Sequence, residues 1–165
     1  MSIAPQTSPS LAEPPGVVAA QDLCPAELTA WRGLLRVHAS LLKQLDAELE
    51  AEHGLPLTSY EVLMHLADAP EHRMRMCDLA DSVLLSRSGM SRLVDRLERD
   101  GLLCRAACSN DARGAFACIT SEGLALLEAA RPTHLAGVRR RFLAQFSEDE
   151  LRQLGEWWAR LLPAA

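Results

Sequence analysis

Residues 86–120 read SRSGMSRLVDRLERDGLLCRAACSNDARGAFACIT. Met90, Leu93, Val94 and Leu97 recur at the three- and four-residue spacing of one helix face. Ser86 can cap the first turn and Gly101 can stop the last, so the spacing predicts a helix over 86–100. Two short apolar runs, 102–106 and 115–119, flank the turn-forming SNDARG and predict a hairpin. The preceding stretch, MRMCDLADSVLL, supplies a shorter helix over about 76–82. Helix, turn, helix, hairpin is the order of a helix-turn-helix followed by a β-wing.

The polar side of the 86–100 helix carries Ser88, Arg92, Asp95 and Arg99, flanked by Ser91 and Arg96. In a helix-turn-helix the N-terminal part of the second helix meets base edges. Arg87, Ser88, Ser91 and Arg92 are therefore the candidate readers, with Ser86 at the helix N-terminus where free N–H groups suit a phosphate. Arginine pairs with guanine O6 and N7, and serine can donate or accept at a base or a phosphate. Arg96 lies further along, at a position that suits a phosphate. At the hairpin tip, Arg113 can enter a minor groove, and Asp111 can either hold the turn or orient Arg113 by a charge-assisted hydrogen bond. A charged helix face alone is equally an ordinary solvated face; the basic hairpin directly after it favours double-stranded DNA as the partner.

The chain has 165 residues and a net charge of −5, which by itself argues against nucleic acid. The distribution reverses that reading. Residues 1–61 hold three basic and eight acidic side chains, whereas 73–113 hold eight arginines against six acids. Steering follows the local field rather than the total. An apolar content of 48% argues for a folded protein. No run of 18 apolar residues exists, so no membrane span is expected, and MSIAPQTSPSLAEPPGVVAAQ lacks the basic start of a secretory signal. A cytoplasmic location is expected. The five cysteines show no CxxC spacing, and the five histidines are scattered, so neither a metal site nor a cofactor is expected. There is no Gly-rich phosphate loop, no G-x-S-x-G and no nucleophile–base arrangement, which speaks against an enzyme.

Outward from the centre, residues 1–24 are rich in Pro, Ser and Ala and read as a flexible arm preceding a single domain over 25–165. A long helix over 25–53 carries Trp31, Leu34, Leu35, Leu41, Leu42, Leu45 and Leu49 on a helical stripe. Thr58-Ser59-Tyr60-Glu61 fits a capping box and predicts the start of a second helix, broken at Asp68-Ala69-Pro70. The winged helix-turn-helix core then spans 57–119. Thr120 caps a fifth helix in which Pro132 predicts a kink or restart before about residue 146. Ser147-Glu148-Asp149-Glu150 is a capping box for a last helix striped with Leu151, Leu154, Trp157, Trp158, Leu161 and Leu162. The helices at 25–53 and 120–162 carry more apolar surface than a small central module can cover. Burial against the same helices of a second subunit is the natural solution, giving a mostly α homodimer with a small β-wing.

Three short motifs stand in order: Arg96-Leu97-Glu98-Arg99-Asp100-Gly101-Leu102, then Asp111-Ala112-Arg113, then Ile119-Thr120-Ser121-Glu122-Gly123. Together they resemble the MarR family of bacterial transcriptional regulators, with Ala112 standing where many members carry a second arginine. The resemblance implies a homodimeric regulator, most simply a repressor, on a pseudo-palindromic operator. It also implies loss of DNA binding when a signal is sensed. The family's usual pocket lies between the dimerising helices and the DNA-binding lobe. There Trp31, His38, Tyr60 and His65 could wall a small aromatic or phenolic effector, although core packing for Trp31 and Tyr60 explains the same residues. A cysteine-based redox signal is a second option: Cys24 precedes the first helix, where oxidant-sensing relatives keep a thiol, and Cys104 and Cys118 each lie seven residues from Asp111. A winged helix used for protein contacts without DNA is a third.

Overall fold

The computed structural model describes residues 22–107 and 115–162. The chain divides into two compact units, residues 1–35 and 36–165. Most of the expected N-terminal arm, and the hairpin tip with Asp111 and Arg113, lie outside the described residues.

In order, the elements are α1 (Pro25–His53), α2 (Leu57–Asp68), β1 (Arg73–Arg75), α3 (Met76–Ser82), α4 (Arg87–Arg99), β2 (Leu103–Ala107), β3 (Ala115–Ile119), α5 (Ser121–Arg141) and α6 (Glu148–Ala159). Short 3-10 turns occupy Pro70–His72 and Leu143–Gln145. Among the described residues no helix is long and apolar enough to cross a membrane.

In the first unit, the start of α1 is held locally. Glu27 Oε2 accepts from the Cys24 N–H at 2.7 Å, and the Thr29 hydroxyl donates to the Pro25 carbonyl at 2.8 Å. Trp31, Leu34 and Leu35 are exposed.

The core of the second unit gathers apolar residues from α1 to α5. Leu45 and Leu49 of α1, Tyr60, Val62, Leu63 and Leu66 of α2, Leu79 of α3 and Leu127 and Ala130 of α5 are buried together. The α4 stripe Met90, Leu93, Val94 and Leu97 closes this core on one side, together with Leu103, Ala117 and Ile119 of the sheet. Each buried leucine contributes about 1.5–3 kcal/mol relative to exposure.

The sheet has the order β1-β3-β2, all antiparallel. Strand β1 was not expected, because Arg73-Met74-Arg75 is too short to show an alternating pattern. It forms because β3 offers it a second edge, pairing Arg73 with Cys118 and Arg75 with Phe116.

Two sequence expectations are corrected. The Thr58 capping box does not form: α2 begins at Leu57 after Pro56, with no side-chain cap from its own sequence. Asp46 of α1 instead accepts the Leu57 N–H at 2.8 Å, and burial of Leu57, Ser59 and Tyr60 sets the helix start two residues earlier. Nor does α5 restart at Pro132. It runs unbroken to Arg141, despite the cost of about 3 kcal/mol expected of an interior proline. Contacts with α1 after the proline compensate. Thr133 donates to Glu52 at 2.7 Å and contacts His53 Nε2 at 2.9 Å. Arg140 donates to Glu48 at 2.7 Å, and Arg141 donates to Glu48 and to Gln44. The hydrogen bond from Arg141, opposed by burial and aided by Arg140, holds the Glu48 carboxyl below the usual carboxylate range.

Candidate nucleic-acid interface

The α4 helix begins as its sequence demands. The Ser86 hydroxyl accepts the Gly89 N–H at 3.1 Å and sits 3.3 Å from the Ser88 hydroxyl. With the apolar stripe buried, the helix turns Arg87, Ser88, Ser91, Arg92, Asp95, Arg96 and Arg99 outward. Neither Arg87 nor Arg92 is held by an ion pair or side-chain hydrogen bond among the described residues. Both guanidiniums are available to an external partner.

Two other arginines of this region are engaged. Arg96 Nη2 donates to the Ser59 hydroxyl at 2.8 Å, reaching back over the start of α2, where Ser59 is fully buried. Arg99 Nε donates to the Asp95 carbonyl at 3.2 Å, within its own helix. Sequence reasoning placed Arg96 at a phosphate; in this structure its guanidinium also fastens α4 to α2.

Arg105 of β2 was missed altogether, because strand residues were read only for alternation. Its guanidinium lies between Asp95, at 2.5 Å, and Glu98, and extends to the Ser91 carbonyl at 3.4 Å. Its backbone N–H donates to Glu98 Oε1 at 3.1 Å. Burial pulls the Arg105 pKa down, but its hydrogen bonds to Asp95 and Glu98 raise it overall, so the charge persists. Arg105 therefore fixes β2 against α4 and neutralises two carboxylates beside the exposed α4 face.

The turn between α3 and α4 contains Leu84 in the left-handed region, φ 54°, with its side chain 93% exposed. This conformation is costly for a leucine. It permits the tight reversal in which Leu85 N–H reaches the Ala80 carbonyl at 2.9 Å.

The expected effector residues fall in both units and are described separately. Trp31 is exposed in the first unit. In the second, His38 is exposed on α1, while Tyr60 is in the core with its ring 4.5 Å from that of His134. Burial raises the Tyr60 hydroxyl pKa. His65 lines a cleft of about 430 Å³, which also holds Arg73, Arg75 and Phe116. Both arginines stand over the Phe116 ring, at 5.3 and 5.5 Å from its centroid. Cys24 is exposed ahead of α1, and Cys104 lies directly opposite Cys118 in the sheet.

Comparison with known proteins places this geometry. The MarR family model matches residues 53–114. The HTH-type transcriptional regulator MhqR of Bacillus subtilis is 30% identical over 131 residues, covering 78% of this chain and 86% of that protein. The homoprotocatechuate degradative operon repressor of Escherichia coli is 32% identical over 102 residues, 62% of this chain and 67% of the relative. Among solved structures, a MarR family transcriptional regulator from Streptomyces coelicolor in complex with DNA superposes with a TM-score of 0.82 at 32% identity, covering 87% of this chain and 93% of that one.

Proposed function

The chain belongs to the MarR family of transcriptional regulators, and from that premise we propose that it is a repressor that binds a pseudo-palindromic operator as a homodimer and leaves it on binding a small aromatic or phenolic effector. The observation that carries the DNA reading is the two-sided α4: a packed apolar stripe behind, and Arg87, Ser88, Ser91 and Arg92 exposed in front. Each subunit places α4 in a major groove and the 110–114 tip in the neighbouring minor groove, with half-sites about one helical turn apart.

The dimerising surfaces are the helices at 25–53 and 120–162. Support comes from large apolar side chains left exposed within each unit: Trp31, Leu34 and Leu35 in the first, Trp157, Trp158, Leu161 and Leu162 in the second. A soluble monomer rarely exposes contiguous apolar surface of this kind. For the effector, the relative named for homoprotocatechuate degradation supports an aromatic class, and the cleft holding Arg73, Arg75 and Phe116 supplies cations beside an aromatic ring.

A gel shift against the DNA flanking the protein's own gene, at two salt concentrations, tests this reading. A specific shift that weakens with salt is expected. Failure of the folded dimer to select any sequence from a random pool would overturn it in favour of a winged helix used for protein contacts.

A further inference from the structure

We infer that Cys104 and Cys118 form a thiol–disulfide exchange site on the outer face of the wing sheet. The register places the two residues directly opposite each other on antiparallel β2 and β3. Their neighbours Leu103, Ala117 and Ile119 are buried, so strand alternation turns both cysteines to the opposite, outward face. Cys104 is exposed, Cys118 partly so, and both are free thiols. Arg73 of β1 is paired with Cys118 on its other side, so a cation completes the row.

The ladder defines how these thiols can react. The Thr120 N–H donates to the Leu102 carbonyl at 3.1 Å, two residues before Cys104 on one strand and two after Cys118 on the other. Cys104 and Cys118 therefore occupy a hydrogen-bonded position of the ladder, where Cα atoms lie about 5.5 Å apart. That is inside the range a disulfide spans. The Cβ atoms of such a pair stand at the long end of what an S–S bond prefers, so the bond forms under strain. Strained, exposed disulfides are the readily reduced ones. The geometry thus suits a bond that opens and closes, rather than a permanent staple.

The reactant class is a low-molecular-weight disulfide, RSSR. Cys104, the more exposed, loses its proton and its sulfur attacks one sulfur of RSSR, breaking that S–S bond and releasing RS⁻. Cys118, whose thiol is held up by burial and by its neighbour, then gives up its proton and attacks the Cys104 sulfur of the mixed disulfide, releasing the second RS⁻. The two protons end on the two RSH products. The cysteine pair is oxidised by two electrons and RSSR is reduced by two. The bond ties the strands that carry the 110–114 tip and draws their Cβ atoms together at its base. On the DNA-binding reading above, on which this last step rests, closure re-aims the tip and weakens operator binding.

The test treats the purified full-length protein with oxidised glutathione, quenches by alkylation and maps the peptides. The wild type is expected to give a 104–118 cross-link with no glutathione retained on either cysteine. Cys118→Ser is expected to stop at a glutathione adduct on Cys104, and Cys104→Ser to leave Cys118 at least tenfold slower to react, with circular dichroism showing both variants folded. A wild-type protein that keeps glutathione on Cys104, pairs either thiol with Cys108, or reacts only at Cys24 and Cys77 overturns the site. A gel shift on the same samples reads the coupling: at least tenfold weaker binding after oxidation, restored by dithiothreitol, supports it, and unchanged affinity overturns the coupling. If neither form binds DNA, the operator reading has failed, while the peptide map still decides the exchange site.

Discussion

Arg105 on the first wing strand donates to the Asp95 carboxylate on the recognition helix at 2.5 Å, joining the two elements that a winged helix presents to DNA. Asp95 and Glu98 are both substantially exposed, so the ion pairs stabilise the fold by only about 0–1 kcal/mol each. Their larger effect is on the field. With Arg105 removed, two uncompensated carboxylates stand beside Ser91 and Arg92. Arg105→Ala is therefore expected to weaken operator binding by about tenfold, equivalent to about 1.4 kcal/mol, with little change in thermal stability. Adding Asp95→Asn should recover part of that loss. Fluorescence anisotropy at fixed salt checks both; equal affinity for wild type and Arg105→Ala would show that the clamp is structural only.

The arginines of α4 should separate by role. Arg92, unpaired among the described residues, is expected to cost about 1–3 kcal/mol at the correct operator when changed to Ala, and to relax preference at one base position. Arg113→Ala should weaken binding to all sequences and lower the salt slope by about one. Arg96→Ala should also lower folding stability, by about 1 kcal/mol, because the buried Ser59 hydroxyl loses its charged donor. Urea melts alongside binding titrations make the distinction. An Arg92→Ala protein with unchanged sequence preference would put base reading elsewhere.

Much of this fold is legible in the chain because each element carries a short-range signal. Ser86 and Gly89, Thr120 and Gly123, and Ser147 and Glu150 form the expected helix caps. The exposed and buried faces of α4 follow from Met90, Leu93, Val94 and Leu97 alone. What the chain conceals are features settled by distant partners. The start of α2 answers to Asp46, eleven residues upstream. Strand β1 exists only because β3 accepts it, and continuity through Pro132 rests on contacts with α1. Arg105 could have been noticed as a cation whose strand follows a helix carrying Asp95 and Glu98, but local pattern does not say that they meet. Cys104 and Cys118 are the exception among long-range features, since equal spacing about the turn predicts their pairing and the register shows it.

Leu84 carries backbone strain that its side chain does not repay. A left-handed φ costs a leucine about 1–2 kcal/mol, and at 93% exposure it gains almost nothing from packing. Glycine relieves the strain but adds about 0.4–1 kcal/mol of unfolded-chain entropy. Leu84→Gly is expected to stabilise the protein by about 0.5–1 kcal/mol, seen as a higher urea midpoint with an unchanged slope. A lower midpoint would mean that Leu84 makes a contact in the dimer that outweighs its backbone cost.

Gly123, the last residue of the Ile119–Gly123 motif, is demanded by contact rather than by φ. A Cβ there would stand 2.3 Å from the Leu102 carbonyl oxygen and 2.8 Å from Ile119 Cγ1. Backbone and a branched core side chain cannot both yield, so Gly123→Ala is expected to cost about 1–3 kcal/mol or more. Gly155 in α6 is the contrasting case: a Cβ meets nothing within 4 Å, and Ala there should stabilise the helix by about 0.5–1 kcal/mol. Thermal melts of the two variants should move in opposite directions, and a neutral Gly123→Ala would mean that the start of α5 is looser than its contacts indicate.

His134 makes stability depend on pH in a predictable sense. Its ring stacks on Tyr60, its Nδ1 is buried without a hydrogen-bond partner among the described residues, and burial lowers its pKa below the ordinary 6.5. The unfolded chain therefore takes up a proton at higher pH than the folded one. Below 6.5 the unfolded state binds more protons, so the stabilising effect of the neutral imidazole is full above 6.5 and is lost as pH falls toward the folded-state value. Because the residue is only partly buried, the loss should total less than about 1 kcal/mol. His134→Phe keeps an aromatic ring against Tyr60 and removes the titration. Urea midpoints measured from pH 8 to pH 5, above the range in which Glu48 titrates, are expected to fall for the wild type and to stay nearly level for the variant. Parallel curves would assign the acid sensitivity to another group.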